Sequence, residues 1–274
     1  MATASARDAE VEPGPARSVY AVELGELIFQ GAESKVYHCS FYGAPALCKH
    51  RFVKRYRNPN LDERLRSQRT HHEARALERC VKVGIRAPRL LGADYINTFL
   101  VMSYEAGPTV KEALDAEHTA ASSSAPPPVA TALLRGIGVV VARLHNANIV
   151  HGDLTTSNFI CTCEALAASR VAGASGGDTA ATVPATEAQG LPTADDLVVL
   201  DFGLISDKFS VEERAVDLYV LERAIASTHP YLAACASDAI VDGYRSAVDP
   251  KKGEETMRRL EAVRARGRKR SMVG

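Results

Sequence analysis

The chain has 274 residues, with 33 Lys and Arg balanced by 33 Asp and Glu. That length can bury a large core and hold one domain or two lobes. The zero net charge gives no bulk argument for nucleic-acid binding, which only local clusters of cations could supply. Hydrophobic content of 46%, without an apolar run approaching ~18 residues, points to a soluble protein without a membrane partner.

Residues 1–20 are rich in Ala, Pro and acids and read as a disordered leader. They contain no apolar signal core, and Asp8, Glu10 and Glu12 argue against a transit peptide. The six cysteines form neither a disulfide framework nor a C-x-x-C pair, which places the chain in a reducing compartment.

Short apolar runs then follow at Leu24–Phe29, Val36–Tyr42 and Ala44–Cys48, punctuated by Gly31 and Gly43. They predict a three-strand meander. Its first turn is Gln30-Gly31-Ala32-Glu33-Ser34-Lys35. A turn of this kind can lay backbone N–H groups over phosphates, and with one glycine it also reads as an ordinary hairpin. Lys49 closes the third strand. The next helix is predicted from about Leu61 to Val83, with Leu65, Leu77, Cys80 and Val81 on its apolar side. Glu73 falls on that side as well. A carboxylate facing inward needs a cation, and Lys49 is the candidate. Between Lys49 and Arg69 eight Lys/Arg face two acids, which suits either a solvated helix face or an anionic-partner surface.

Phe99–Met102 is an apolar strand that empties into Ser103-Tyr104-Glu105-Ala106-Gly107-Pro108, a short connection suited to joining two lobes. Backbone groups from Met102 through Ser103 to Glu105 could then meet an adenine edge. Residues 119–128 read as a linker insertion. Val129–Ala147 is a helix apolar on nearly every side and hence buried. It delivers the chain into His151-Gly152-Asp153-Leu154-Thr155-Thr156-Ser157-Asn158. An acid and an amide five positions apart in a polar loop suit phosphoryl transfer. The acid orients or deprotonates the acceptor, and the amide holds a metal on the phosphates.

Phe159–Cys161 is a predicted strand, and residues 164–196 are an Ala/Gly/Ser/Thr-rich insertion expected to be disordered. Leu197–Leu200 is a strand ending in Asp201-Phe202-Gly203, where Asp201 suits a second metal ligand opposite Asn158. Only 13 residues, Leu204 to Val216, separate Gly203 from Asp217. Ser210-x-x-Glu213 is a capping box opening a helix to about Ala226. Asp217, on that helix, suits a role in holding the loop backbone. A last helix, about Glu254 to Ala265, runs into a basic tail, Arg266 to Gly274. The tail reads as a nuclear signal, a solvated end or a nucleic-acid contact.

Lys49, Glu73, Asp153, Asn158 and Asp201 occur in the order and element types of the protein-kinase signature. The expected fold is therefore α+β and bilobal, protein-kinase-like. Its N-lobe (21–105) would be a small antiparallel sheet with one helix, and its C-lobe (106–274) mainly helical. More closely, the chain resembles the PRPK family, the atypical kinase/ATPase subunit of the KEOPS (EKC) complex. The resemblance lies in Gln30–Ser34, Lys49-His50-Arg51, Arg69-Thr70-x-x-Glu73-Ala74-Arg75-Ala76-Leu77 and the loop through Asn158. Asp201-Phe202-Gly203-Leu204, Asp217–Glu222 and the tail Arg266–Gly274 complete it.

That resemblance implies binding of ATP and Mg²⁺, non-specific serine/threonine phosphorylation or autophosphorylation, and ATP hydrolysis inside a complex that makes threonylcarbamoyl-adenosine in tRNA. It implies a threonylcarbamoyl-transferase subunit against the C-lobe, a small accessory subunit on the N-lobe, and tRNA near the basic tail. It places the protein in the cytoplasm, with the nucleus as a second compartment. By the same resemblance Lys49 serves the phosphates, Glu73 orients it, Asp153 is the base, Asn158 and Asp201 hold magnesium, and Gln30 to Lys35 cover the phosphates.

Gly152 replaces the arginine with which ordinary kinases read a phosphorylated activation segment, and Thr155 replaces a second lysine. With the short segment after Gly203, which offers little platform for an extended peptide, these departures predict that ATP hydrolysis or self-phosphorylation matters at least as much as phosphorylation of other proteins. The alternatives are a small-molecule phosphotransferase of the aminoglycoside/choline-kinase type, which shares the H-G-D-x-x-x-x-N loop, and a catalytically silent scaffold.

Overall fold

Three consecutive strands, β1 (Val22–Gln30), β2 (Lys35–Phe41) and β3 (Ala44–His50), fold back on one another as antiparallel neighbours. Two more, β4 (Leu90–Asp94) and β5 (Phe99–Met102), extend the sheet in the order β1-β2-β3-β5-β4. The computed structural model describes residues 22–120, 127–163, 166, 190–205 and 209–271. The leader, most of both insertions and the last three residues lie outside the described residues.

The two-residue period of a strand decides where Lys49 points. Lys49 pairs with Leu100 and Leu47 with Met102, so these four side chains share one face. The long helix α1 (Pro59–Lys82) covers that face, with Ala74 packed against Leu100 and Met102. The helix starts where Asn58 accepts hydrogen bonds from the N–H groups of Asn60 and Leu61 and Pro59 opens the first turn. Glu73, Leu77 and Cys80 are buried on its inner side. Val81, expected there too, is 54% exposed because it lies just before the end of the helix.

The chain leaves the sheet through Ser103–Pro108 and builds a helical lobe. It consists of α2 (Val110–Ala120), α3 (Pro128–Asn146), α4 (Val211–Thr228), α5 (Ala236–Ala247) and α6 (Pro250–Ser271). A two-stranded ribbon, β6 (Phe159–Cys161) with β7 (Leu197–Val199), carries the two loops of interest. By length and composition α3 could cross a membrane, although the sequence shows no apolar run approaching ~18 residues. In the fold, 61% of that stretch is buried. Its Gly138 lies against the backbone of α5, where an added Cβ would sit 2.1 Å from the Ile240 carbonyl. Gly243 meets the Arg135 carbonyl in the same way. The α3–α5 contact is thus backbone on backbone, and α3 is the centre of the lobe's core.

Several elements differ from expectation. Strand β4 and helices α2 and α5 were not anticipated; β4 is five residues long with a glycine in it, too short to show a period. The insertions are also narrower than expected. Thr119 and Ala120 finish α2, Pro128 opens α3, and Thr193 caps a turn of 3₁₀ helix at Ala194–Asp196, closed by a reciprocal pair of hydrogen bonds. Arg143 pairs with Asp195 there at 2.6 Å. The last helix starts at Pro250, and its backbone continues through Ser271 rather than stopping near Ala265. The reason is lateral: Arg264 binds Glu222, Arg259 and Arg266 both bind Glu212, and Gly267 sits against the Tyr219 ring. These contacts lay the first part of the predicted tail along α4.

Candidate active site

Lys49, Glu73 and Asp201 meet in one cluster. Lys49 Nζ donates to Glu73 Oε1 at 2.8 Å and to Asp201 Oδ1 at 2.6 Å. Lys49 is 6% and Glu73 1% exposed, so the pair predicted from the strand and helix periods is a buried one. Glu73 has a second cation that the sequence reading gave no role. Arg51 Nη2 donates to Glu73 Oε2 at 2.5 Å. The signal was available, since Lys49 and Arg51 stand two residues apart at the end of a strand and so share a face.

Asp201 lies at the mouth of β7 with φ of 57°, a left-handed conformation that aspartate tolerates better than most residues. Gly203 N–H donates to Asp201 Oδ1 at 3.2 Å. Burial alone would raise the Asp201 carboxyl, but Lys49, Arg51 and the Gly203 N–H outweigh it and hold the pKa at about 2. Its side chain is still 43% exposed, facing the cleft. It is therefore ionised at any working pH and open to a cation.

The loop His151–Asn158 is held from three sides. Asp217, fully buried on α4, accepts from the N–H of His151 at 2.9 Å and of Gly152 at 2.8 Å. Its remaining partner is His145 Nε2, at 3.2 Å, whose Nδ1 meets Tyr244 Oη at 2.9 Å. The expected backbone-holding role of Asp217 is what the fold provides. His151 Nε2 faces the Leu200 carbonyl at 2.9 Å, which can only accept, so the proton is on Nε2. Nδ1 is then free to accept from the Asp153 N–H at 3.3 Å. The third support was not foreseen. Thr156 Oγ1 meets buried His229 Nε2 at 2.9 Å, and His229 Nδ1 pairs with Asp115 at 3.2 Å. Burial pushes the His229 pKa down despite Asp115, so it acts here as a neutral acceptor for the threonine hydroxyl. No sequence spacing links a loop to a histidine 73 residues later.

Asn158 Nδ2 donates to the Asp153 carbonyl at 2.8 Å, which leaves Asn158 Oδ1 as the atom for a metal. Burial, with Asp201 adding like charge, pushes the Asp153 carboxyl above the usual carboxylate range against His151 and Lys49. A raised carboxylate is a better proton acceptor. Gly152 has φ of 82°, and an added Cβ would stand 2.3 Å from the Leu204 carbonyl. Gly152→Ala is therefore expected to lower stability by about 1–3 kcal/mol, read from the urea midpoint; an unchanged midpoint would show that the loop can yield.

The Gln30–Lys35 turn closes as a tight hairpin, with Gly31 N–H donating to the Ser34 carbonyl at 2.9 Å. Glu33 ties it down. It accepts from Arg57 at 2.8 Å and pairs with Arg69 of α1 at 2.9 Å, and Lys54 Nζ donates to the Ala32 carbonyl. With Arg66 on Asp62 and Arg51 on Glu73, much of the basic stretch is engaged internally. That corrects the choice between a solvated face and an anion surface, because four of its arginines hold the fold. Glu33→Gln should free the turn and raise the KM for ATP about 3- to 10-fold with kcat little changed. Initial rates against ATP concentration check this, and an unaltered KM would rule out a covering role.

At the lobe connection, the Ser103 N–H donates to the Arg89 carbonyl at 2.9 Å, and Ser103 Oγ donates to Glu105 at 2.7 Å. The Ser103 N–H is thus committed within the protein, and an adenine contact there would use other backbone groups. Met102 is buried in the sheet next to them.

Residues 46–172 match the model of the lipopolysaccharide kinase (Kdo/WaaP) family. Among solved structures, that of WaaP in complex with acyl carrier protein superposes with a TM-score of 0.53. It covers 89% of this chain and 88% of its own at 16% identity, a likeness of fold. The EKC/KEOPS complex subunit Tp53rkb of Mus musculus is 37% identical over 251 residues, 91% of this chain and 89% of the relative. The EKC/KEOPS complex subunit BUD32 of Chaetomium globosum is 35% identical over 283 residues, 99% of this chain and 100% of the relative. With a bilobal kinase fold and relatives matched almost end to end, the chain belongs to the Bud32 family of EKC/KEOPS complex subunits.

Proposed function

We propose that the protein is an ATP- and Mg²⁺-dependent serine/threonine kinase/ATPase that acts within the KEOPS (EKC) complex in threonylcarbamoyl-adenosine modification of tRNA. The observation that carries the catalytic half is the Lys49–Glu73–Asp201 cluster, closed at 2.8 and 2.6 Å beside the Asp153/Asn158 loop. The relatives' names support membership of the complex. The small-molecule phosphotransferase reading has only the match of residues 46–172 to the lipopolysaccharide kinase family beside it, over less than half of the chain.

In this reading Lys49 meets the nucleotide phosphates, and Glu73 keeps its ammonium in place. The Gln30–Lys35 hairpin lies over them. Asp201 and Asn158 fit a magnesium site, because both offer oxygen atoms and magnesium takes few protein ligands when phosphates complete its shell. Magnesium, when bound, neutralises charge building on the phosphate oxygens. Asp153 orients the acceptor hydroxyl, from serine, threonine or water, and takes its proton as the phosphoryl group arrives. The transferase subunit would sit on the C-lobe, the small accessory subunit on the N-lobe, and tRNA near the basic end of α6. The outer strand β1 suits such a neighbour, with Leu24, Leu27, Ile28 and Phe29 all more than 40% exposed. Cytoplasmic and nuclear pools follow from the same reading.

The test is a native pull-down assayed for Mg-ATP hydrolysis with and without tRNA. The reading requires co-purifying transferase and accessory subunits and a turnover that responds to tRNA. Turnover of sugars or amines by a partner-free chain would replace it with the phosphotransferase reading.

A further inference from the structure

We infer that Arg51 is a positioning residue that holds the Lys49–Glu73 pair and the Asp201–Gly203 turn ready for turnover without a phosphorylated segment. The inference rests on the kinase/ATPase reading above. Kinase sites need the lysine–glutamate pair and the metal-binding aspartate in place together, and a phosphorylated activation segment is the common means of control. Here Gly152 occupies the position of the phosphate-reading arginine, and 13 residues from Leu204 to Val216 are all that precede Asp217.

Arg51 joins those same parts directly. Its Nη2 donates to one oxygen of Glu73 while Lys49 takes the other. The same Nη2 lies 2.7 Å from where a Cβ on Gly203 would stand. Gly203 has no positive φ, and an added Cβ would also stand 3.1 Å from Asp201 Oδ1, so the glycine keeps open the space that the guanidinium and the Asp201 carboxylate share. The Arg51 backbone is also fixed. Its N–H donates to the Thr98 carbonyl at 3.0 Å, and its carbonyl accepts from Thr98 Oγ1 at 2.8 Å. Arg66 of α1 donates to that same Thr98 Oγ1 at 2.8 Å. The root of the Arg51 side chain is thus tied through Thr98 to the β4–β5 turn and to α1.

One more feature separates this role from simple neutralisation of Glu73. Arg51 Nη1 is buried without a hydrogen-bond partner among the described residues. A lysine would neutralise Glu73 without burying that donor. The planar group is what spans Glu73 and the face of Gly203.

The experiment compares Arg51→Met, Arg51→Lys and Gly203→Ala with the wild-type full chain, each assayed in the complex recovered by native pull-down with tRNA present, with Asp201→Ala as the inactive control. Phosphate release is measured across ATP concentration, below each variant's urea midpoint. Arg51→Met should lose about 10- to 100-fold in kcat, as small misplacements of a site do, with the KM for ATP within about threefold. Arg51→Lys should recover part of that loss. Gly203→Ala, which keeps the Arg51 charge but displaces it, should lose kcat in the same way and carries the test if Arg51→Met does not fold. Wild-type kcat in folded Arg51→Met or in Gly203→Ala overturns the inference while leaving the kinase reading intact. A wild type no faster than Asp201→Ala overturns both.

Discussion

Asp201→Ala is expected to lower Mg-ATP turnover at least about 100- to 1000-fold, the loss typical when a charge-stabilising group is removed from a site. The same change should leave the fold standing. The Asp201 side chain is 43% exposed, and Lys49 keeps its other partner, Glu73, at 2.8 Å. What is lost is the only carboxylate in the cluster that is both held ionised, at a pKa of about 2, and open to the cleft. Two measurements check it: phosphate release under saturating Mg-ATP, and the urea midpoint. Nucleotide binding without Mg²⁺ should weaken little or even strengthen, because Lys49 loses a competing anion. A variant that still turns over Mg-ATP would move the metal site elsewhere. One that unfolds would make Asp201 structural and leave the catalytic assignment without its main test.

Much of this site is legible in the sequence because its parts sit on regular elements. The strand period put Lys49 on the face of β3 that α1 covers, and the helix period turned Glu73 toward it. Their meeting follows from two short patterns. Asp201 and Asn158 were readable because a buried hydrophobic strand precedes one and follows the other, and pairing of β6 with β7 brings both ends to one cleft. The parts that were missed depend on distance along the chain. Thr156 reaches His229, and Glu33 reaches Arg57 and Arg69, through folding of separate elements. The basic stretch was misread for the same reason: counting charges cannot tell a cation facing solvent from one with a buried carboxylate partner. Helix α5 carried apolar positions too, but its close approach to α3 depends on Gly138 and Gly243, 105 positions apart, whose complementarity no local window contains.

Asp217 should prove the most costly single position outside the cleft. Asp217→Ala strands the N–H groups of His151 and Gly152 and removes the acceptor of His145, all in a fully buried setting. Breaking one side of a buried charged network typically costs about 3–5 kcal/mol. Because those N–H groups fix the loop that carries Asp153, kcat should fall as well. Asp217→Asn keeps the shape and one acceptor oxygen and should lose less. The pH dependence separates the charge from the shape. Burial would raise this carboxyl, but the His145 hydrogen bond and charge, with His151, pull it below its ordinary 3.8. A carboxyl depressed in the folded state stabilises the fold fully above the unfolded value, and that contribution is lost as pH falls through the folded one. The stability gap between wild type and Asp217→Asn should therefore stay constant from neutral pH down to about 4 and narrow below it. Urea midpoints of both proteins from pH 7 downward measure the gap. A gap that already narrows well above pH ~4 would show that the Asp217 carboxylate charge is not what sets the strength of this network.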